Sequence, residues 1–301
     1  MEAKVVRDPV YGYMRLDPVP SQAELDQYYR DEYFEQVKKG DRAPTMRQQL
    51  VGGSEAALDL DWLNKTLYAD IADVLSKHTW RGNRLLDIGS GTGAFLLYAA
   101  GQGWNAVSVE PSTDGVPMSA GSEKVPVHHM TLAEFARFQP SPFDVITLLN
   151  VLEHVPDPFA TLMTVKKLLR LQGGVLCIRV PNDFSSLQGR AVAALGVRRW
   201  WITSPDHVNY FSFTSLRSLL EVVGLEIVHE TTDFPMELFL LAGDNNYIDD
   251  PEVGAECHKM RRSLELAIPA EMRRRIYCKL AENGVGRSCI VFARVKTGVS
   301  E

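Results

Sequence analysis

Residues 85–93, Leu-Leu-Asp-Ile-Gly-Ser-Gly-Thr-Gly, constrain this chain more than any other stretch: a short apolar run ends in an acid and meets three alternating glycines. Leu85 and Leu86 suit a strand buried on both faces of a parallel sheet. Gly89, Gly91 and Gly93 let the backbone turn sharply, enter the left-handed region and bring peptide N–H groups close to a ligand. A helix starting near Gly93, with Ala94, Phe95, Leu96 and Leu97, points its N-terminus at the same place, where partial positive charge collects. Gly101 and Gly103 close that helix, and Ala106–Val109 form a second strand ending in Glu110.

An acid at the tip of the second strand is placed to accept ribose hydroxyls, so the pocket expects a nucleoside. Gly89, Gly91 and Ala94 satisfy the dinucleotide pattern G-x-G-x-x-A with Glu110 about 20 residues on, which leaves a nicotinamide dinucleotide open. Two details favour S-adenosyl-L-methionine. Asp87 stands two residues before the first glycine, where a carboxylate suits a cationic amino-acid group better than a pyrophosphate, and the third glycine falls at 93 instead of 94. The arrangement resembles motif I of the class I S-adenosylmethionine-dependent methyltransferases.

The resemblance continues in order. Phe143–Asn150 reads as a fourth strand running into Val-Leu-Glu-His-Val-Pro-Asp-Pro at 151–158, which is similar to the segment after strand four in the ubiquinone-biosynthesis O-methyltransferase branch. An amphipathic helix, Gly173-Gly174 and a fifth strand Val175–Val180 follow, and the segment from His207 to Leu216 matches the same branch. It implies an α/β, doubly wound, seven-stranded, mostly parallel sheet of the Rossmann-like methyltransferase fold, with an antiparallel seventh strand at Ser288–Val295. It implies Asp87 near the donor's amino group, the loop of Gly89, Ser90, Gly91 and Gly93 along methionine and ribose, and Glu110 on the ribose hydroxyls. Thr131 and Leu132 would lie along the adenine, with Asn150 at the crevice; Thr131 reads equally well as a helix cap before Glu134.

On the acceptor side a hydroxyl must lose its proton as it attacks, and His suits that near neutral pH. His154 and His207 are the candidate catalytic residues, each also readable as a structural histidine. In the ubiquinone-type enzymes the resemblance implies a divalent ion held by a Glu-x-x-Glu-His pattern. This chain carries Asn150 where the first glutamate would be, with Glu153 and His154 matching. An amide is a poorer ligand than a carboxylate for a hard cation, so no metal is assigned and activity is expected to survive chelation.

The N-terminal tyrosines and the His207 motif resemble bacterial surface-polysaccharide methyltransferases, which implies a saccharide or nucleotide-sugar acceptor ahead of a quinol or secondary metabolite. An NAD-dependent oxidoreductase would need a hydride-transfer site that residues 144–230 do not suggest. A non-catalytic S-adenosylmethionine-binding protein would keep the same acids and glycines.

Charge and cysteines narrow the partners. A net charge of −6 argues against a phosphate backbone as substrate, so a small-molecule acceptor is expected, with self-association left open. Four cysteines without a C-x-x-C pair read as thiols in a reducing compartment. With no apolar run of about 18 residues and no leader-like start, a cytoplasmic protein without stable membrane insertion is expected.

The chain divides into an aromatic-rich cap at 1–79, a donor-binding core at 80–232, a helical insertion at 233–287 and a final strand and tail at 288–301. The cap carries five tyrosines within residues 11–33 and is expected to be helical near Ser21–Tyr33 and Leu58–Lys77. In the insertion, Arg261, Arg262, Arg273, Arg274 and Arg275 concentrate positive charge. They read either as a solvated helix pair or as a lid that holds an anionic group. Residues 186–202, with Trp200 and Trp201, read as a helix over the sheet edge, a ring-stacking platform or a membrane contact.

Overall fold

A computed structural model describes residues 4–40, 44–79, 82–113, 125–243 and 245–296. Among the described residues ten strands form two sheets. The small sheet pairs β1 (Lys4–Arg7), β2 (Met14–Asp17) and β8 (Asn209–Tyr210). The large sheet contains β3 (Arg84–Ile88), β4 (Asn105–Val109), β5 (Val127–His128), β6 (Val145–Leu149), β7 (Val175–Pro181), β9 (Leu225–Thr231) and β10 (Ser288–Val295). Its order is β5-β4-β3-β6-β7-β10-β9, parallel up to β7, with β10 antiparallel to both neighbours. The seven-stranded doubly wound sheet is therefore as expected.

Both faces are covered, because side chains alternate along each strand. Leu86, Ile146, Leu176 and Val291 enter one apolar cluster with the helices Pro158–Leu168 and Phe213–Val223. Leu85, Val145, Val175 and Ile290 enter a second, with the helices Leu67–His78 and Ala94–Gly101. A strand buried on both sides has no polar face, which explains the near-continuous apolar runs. Order β4-β3-β6 leaves a crevice at the carboxyl ends of β3 and β6, where successive connections leave to opposite sides. None of the described helices is long and apolar enough to cross a membrane.

Besides its helices, the N-terminal extension carries the β1–β2 hairpin, which sits against β8. Two expectations need correction. The helix expected over Leu58–Lys77 is two, Ser54–Lys65 and Leu67–His78, broken at Thr66, whose hydroxyl donates to the Trp62 carbonyl at 2.6 Å. Most of the insertion's arginines are neither solvated nor available to a ligand. Arg261 is buried against Asp233 and Glu265, Arg262 binds Asp59 and Glu55, and Arg273 and Arg274 share Asp70. Arg275 alone of the five is exposed. The insertion helices Pro251–Ala267 and Ala270–Glu282 are thereby clamped to the N-terminal helices, with Trp62 Nε1 donating to Glu265 at 2.7 Å beneath the Arg261 guanidinium. Removing one partner from such a buried pair costs about 3–5 kcal/mol.

Candidate functional site

At the crevice, Asp87, Gly89, Ser90, Thr92, Leu149, Asn150 and Arg179 line a cavity of about 130 Å³ closed on one side by Tyr68 and Phe95. A larger cavity of about 560 Å³ beside β4 and β5 is walled by Val107, Phe135, Phe138 and Phe143 and is almost wholly apolar. It carries no set of reactive groups, so the smaller, polar cavity is the candidate site.

The glycine loop needs its glycines. Gly89 has φ +68°, and a Cβ there would stand 2.6 Å from a Val151 methyl, so the loop and the turn after β6 pass too closely for any side chain. Gly91 and Gly93 are also left-handed. Glu110 holds the loop's shape: its carboxylate accepts from the Gly91 N–H and the Ser112 N–H, each at 3.0 Å. Burial pushes the Glu110 carboxyl up, and these two N–H groups pull it back. Ser108 donates to the Ser90 hydroxyl at 2.7 Å.

Asp87 is fully enclosed and accepts from the Thr147 hydroxyl at 2.6 Å. Burial pushes its carboxyl up to about 7, against the pull of Thr147 and with a push from Glu110. A buried carboxylate with no cation beside it among the described residues favours a cationic ligand, which would restore its charge. The N-terminal segment closes over this loop: Met46 packs beside Gly91, and Gln49 accepts from the Thr92 hydroxyl at 2.5 Å.

Thr131 and Leu132 do not line the cavity. Thr131 caps the helix Leu132–Arg137 in a reciprocal capping box with Glu134, so a structural role for it is on view. Asn150 does line the cavity, in a left-handed conformation at φ +61° that Asn tolerates better than most residues. Its side-chain oxygen accepts from Arg179, which also bridges to Asp233 at 2.8 Å.

His154 and His207 come together through backbone. The N–H groups of Val208 and Asn209 both donate to the Glu153 carbonyl, at 2.8 and 3.0 Å, while the Asn209 amide donates to the carbonyls of Leu152 and Val155. Leu16 of β2 donates to the Val208 carbonyl at 2.9 Å, anchoring the segment from its other side. The two imidazoles stand edge to face with centroids 4.9 Å apart. His154 Nδ1 lies 2.8 Å from the Asp206 carbonyl and 2.7 Å from the Tyr29 hydroxyl. A carbonyl only accepts, so Nδ1 carries the proton and Nε2 of the neutral ring keeps its lone pair.

That lone pair faces Glu153, whose carboxylate lies 3.9 Å from Nε2. Glu153 is completely buried and neither of its oxygens has a hydrogen-bond partner. Nearby, Asp183 Oδ2, Glu237 Oε2 and Asp233 Oδ1 are also buried without partners. The charges of Glu153 and Glu237 reach Asp183, and burial with these neighbours pushes its carboxyl well up. Tyr29, Arg179, Asp183 and Glu237 were not singled out from sequence. For Tyr29 a signal existed, the tyrosine cluster at 11–33; the others lie among ordinary loop acids and bases.

The comparisons with known proteins agree with this layout. A family model described as "Methyltransferase domain" matches residues 62–230. A ubiquinone biosynthesis O-methyltransferase of Aromatoleum aromaticum is 30% identical over 178 residues, covering 56% of this chain and 70% of that protein. One from Dinoroseobacter shibae is 30% identical over 175 residues, covering 56% and 71%. Among solved structures, the 1,6-didemethyltoxoflavin-N1-methyltransferase of Burkholderia thailandensis aligns over 98% of this chain and 96% of its own, with a TM-score of 0.52 and 15% identity. At that identity the likeness concerns the fold.

Proposed function

The chain belongs to the methyltransferase-domain family, and from that premise we propose that it transfers the methyl group of S-adenosylmethionine to a hydroxyl of a saccharide or nucleotide sugar. The acceptor oxygen attacks the methyl carbon in line as the carbon–sulfur bond breaks. The thioether leaves with the bonding pair, and the hydroxyl proton is drawn off at the cluster of Glu153, His154 and His207. Alignment of donor and acceptor supplies much of the rate.

Each donor group has a counterpart. Asp87 meets the ammonium, whose charge keeps the carboxyl ionised. The loop Gly89, Ser90, Gly91, Gly93 follows methionine and ribose. Glu110 accepts two backbone N–H groups and retains lone pairs for ribose hydroxyls.

The observation that carries the acceptor class is the set of buried, unpartnered carboxylate oxygens of Glu153, Asp183, Asp233 and Glu237. Each such acceptor left unsatisfied costs about 1–3 kcal/mol. A sugar ring brings several hydroxyl donors to them; a quinol brings two at most and an apolar remainder. The second reading, O-methylation of a quinol, is favoured by the names of the relatives at 30% identity.

Incubating the protein with S-adenosylmethionine and a mixed panel of nucleotide sugars, free glycosides and hydroxyquinols, followed by mass spectrometry, separates the two. One added methyl on a sugar is the expected result. Methylation confined to hydroxyquinols would replace the saccharide reading with the second.

A further inference from the structure

Arg287 sits at the top of the large sheet, one residue before β10. Its N–H donates to the Asp233 carbonyl at 3.4 Å, its carbonyl accepts from the Asn182 N–H at 2.9 Å, and its neighbour Ser288 pairs with Pro181 at the carboxyl end of β7. From this placement we infer that the Arg287 guanidinium holds an anionic group carried by the acceptor sugar, beside the hydroxyls that Asp183 and Glu237 receive. The inference rests on the proposed methyl transfer to a saccharide and narrows its substrate to a sugar bearing a phosphate ester or a carboxylate.

The other cations nearby are already matched. Arg179 and Arg261 reach the same Asp233 oxygen at 2.8 and 3.4 Å, and the Ser288 hydroxyl donates to it at 3.2 Å. Burial pushes the Asp233 carboxyl up, and Arg179 and Arg261 bring it down to about 2, so its charge is committed to them. Arg287 feels Asp233 and Glu237 at a distance but forms no ion pair with a described residue. The residue is exposed, yet loss of water to the surrounding protein, with Arg261 alongside, lowers its guanidinium below the ordinary range. A group both open and partly dehydrated lines a recess and does not project from the surface. There an anion forms charge-assisted hydrogen bonds that water screens weakly.

The surroundings of Arg287 await a ligand as well. Asp183 Oδ2 and Glu237 Oε2 are buried without partners. Burial pushes both carboxyls up, so they stand nearer neutrality than Asp233 and leave the Arg287 charge uncompensated. Tyr247, which interacts with Glu237 and Arg287, meets Trp200 edge to face at 6.4 Å, and Trp200 meets Trp201 at 5.0 Å. The buried Trp201 Nε1 has no partner. The interactions run in order from Glu153 to Asp183, to Arg287, to Tyr247 and to Trp200. Carboxyls for hydroxyls, a guanidinium for an anion and an aromatic wall for a ring beyond it match a sugar linked through phosphate to a base. The insertion thus meets the acceptor through its last residue, while Arg261, Arg262, Arg273 and Arg274 serve to hold its helices.

The test titrates the full chain, in excess S-adenosylhomocysteine, with sugars that share a ring and differ in the anion: methyl glucoside, glucose-1-phosphate, UDP-glucose and glucuronic acid. Calorimetry and tryptophan fluorescence report binding. At least one anionic sugar should bind about ten- to a hundredfold tighter than methyl glucoside, and added salt should shrink the difference. Tightest binding by UDP-glucose or glucose-1-phosphate assigns the anion to phosphate, and tightest binding by glucuronic acid assigns it to carboxylate; both support the inference. Arg287→Gln should abolish the preference, Arg287→Lys should keep part of it, and Arg275→Gln, at an exposed arginine outside the recess, should keep it whole. An unchanged melting temperature certifies each variant as folded, and Arg287→Lys serves alone where the glutamine variant is not. No binding by any anionic sugar, equal binding by methyl glucoside, or a preference indifferent to Arg287 would overturn the inference. An Arg287-dependent preference in a wild type that does not bind S-adenosylhomocysteine would sink the methyl-transfer reading and leave the anion contact standing.

Discussion

The two halves of the crevice, proposed for donor and for acceptor, are built differently. In the donor half, Asp87, Ser90 and Glu110 each already hold a protein partner, in Thr147, Ser108 and the backbone of Gly91 and Ser112. In the acceptor half, carboxylates from the segments after β6, β7 and β9 are buried with oxygens unpaired. A site that always receives the same ligand can be finished in advance by its own hydrogen bonds. One whose polar atoms await a ligand uses their desolvation to reject a ligand that cannot pair with them.

The most damaging change should fall on the acceptor half. His154→Ala is expected to lower kcat by about 10²–10⁴ while leaving the dissociation constant for S-adenosylhomocysteine unchanged; a loss in donor affinity of similar size would erase the division between the halves. Asp87→Asn should do the opposite, weakening donor binding by about 2–5 kcal/mol because a buried charge pair loses one member, as calorimetry would read.

Asp87→Asn should also raise the melting temperature of the ligand-free protein near pH 8. Folding holds the Asp87 proton up to about pH 7, far above its unfolded value of about 3.9. Ionising it therefore destabilises the fold progressively as pH rises through that window, and Asn removes the penalty. For the same reason donor affinity should be flat above pH 7 and fall up to about tenfold per unit below it; a flat profile in the wild type would take Asp87 out of contact with the donor.

The smallest effect sharpens the same point. Thr147→Val removes the hydroxyl that stabilises the charged Asp87. Donor binding at pH 7 should weaken by about 1 kcal/mol, with the inflection in its pH profile moved upward. Unchanged affinity and an unmoved inflection would show that Asp87 is held by its cavity alone.

What the sequence determined by itself is local. Near-continuous apolar runs at 84–88, 145–149 and 175–181 specify strands buried on both faces, and the spacing of Gly89, Gly91 and Gly93 specifies the loop between strand and helix, because backbone conformation there depends on a few neighbouring residues. The glycine loop was legible for that reason. Tertiary structure decided what joins distant segments. It brought Tyr29 and Asp206 onto His154, His207 beside Glu153, and Asp183 among Glu153 and Glu237. It also bound the arginines of the insertion to acids of the N-terminal helices, which no charge count distinguishes from a ligand-binding surface. Pairing between groups far apart in the chain depends on which backbone carbonyls and N–H groups meet across the fold, as Glu153 and Val208 do, and that meeting leaves no spacing to read.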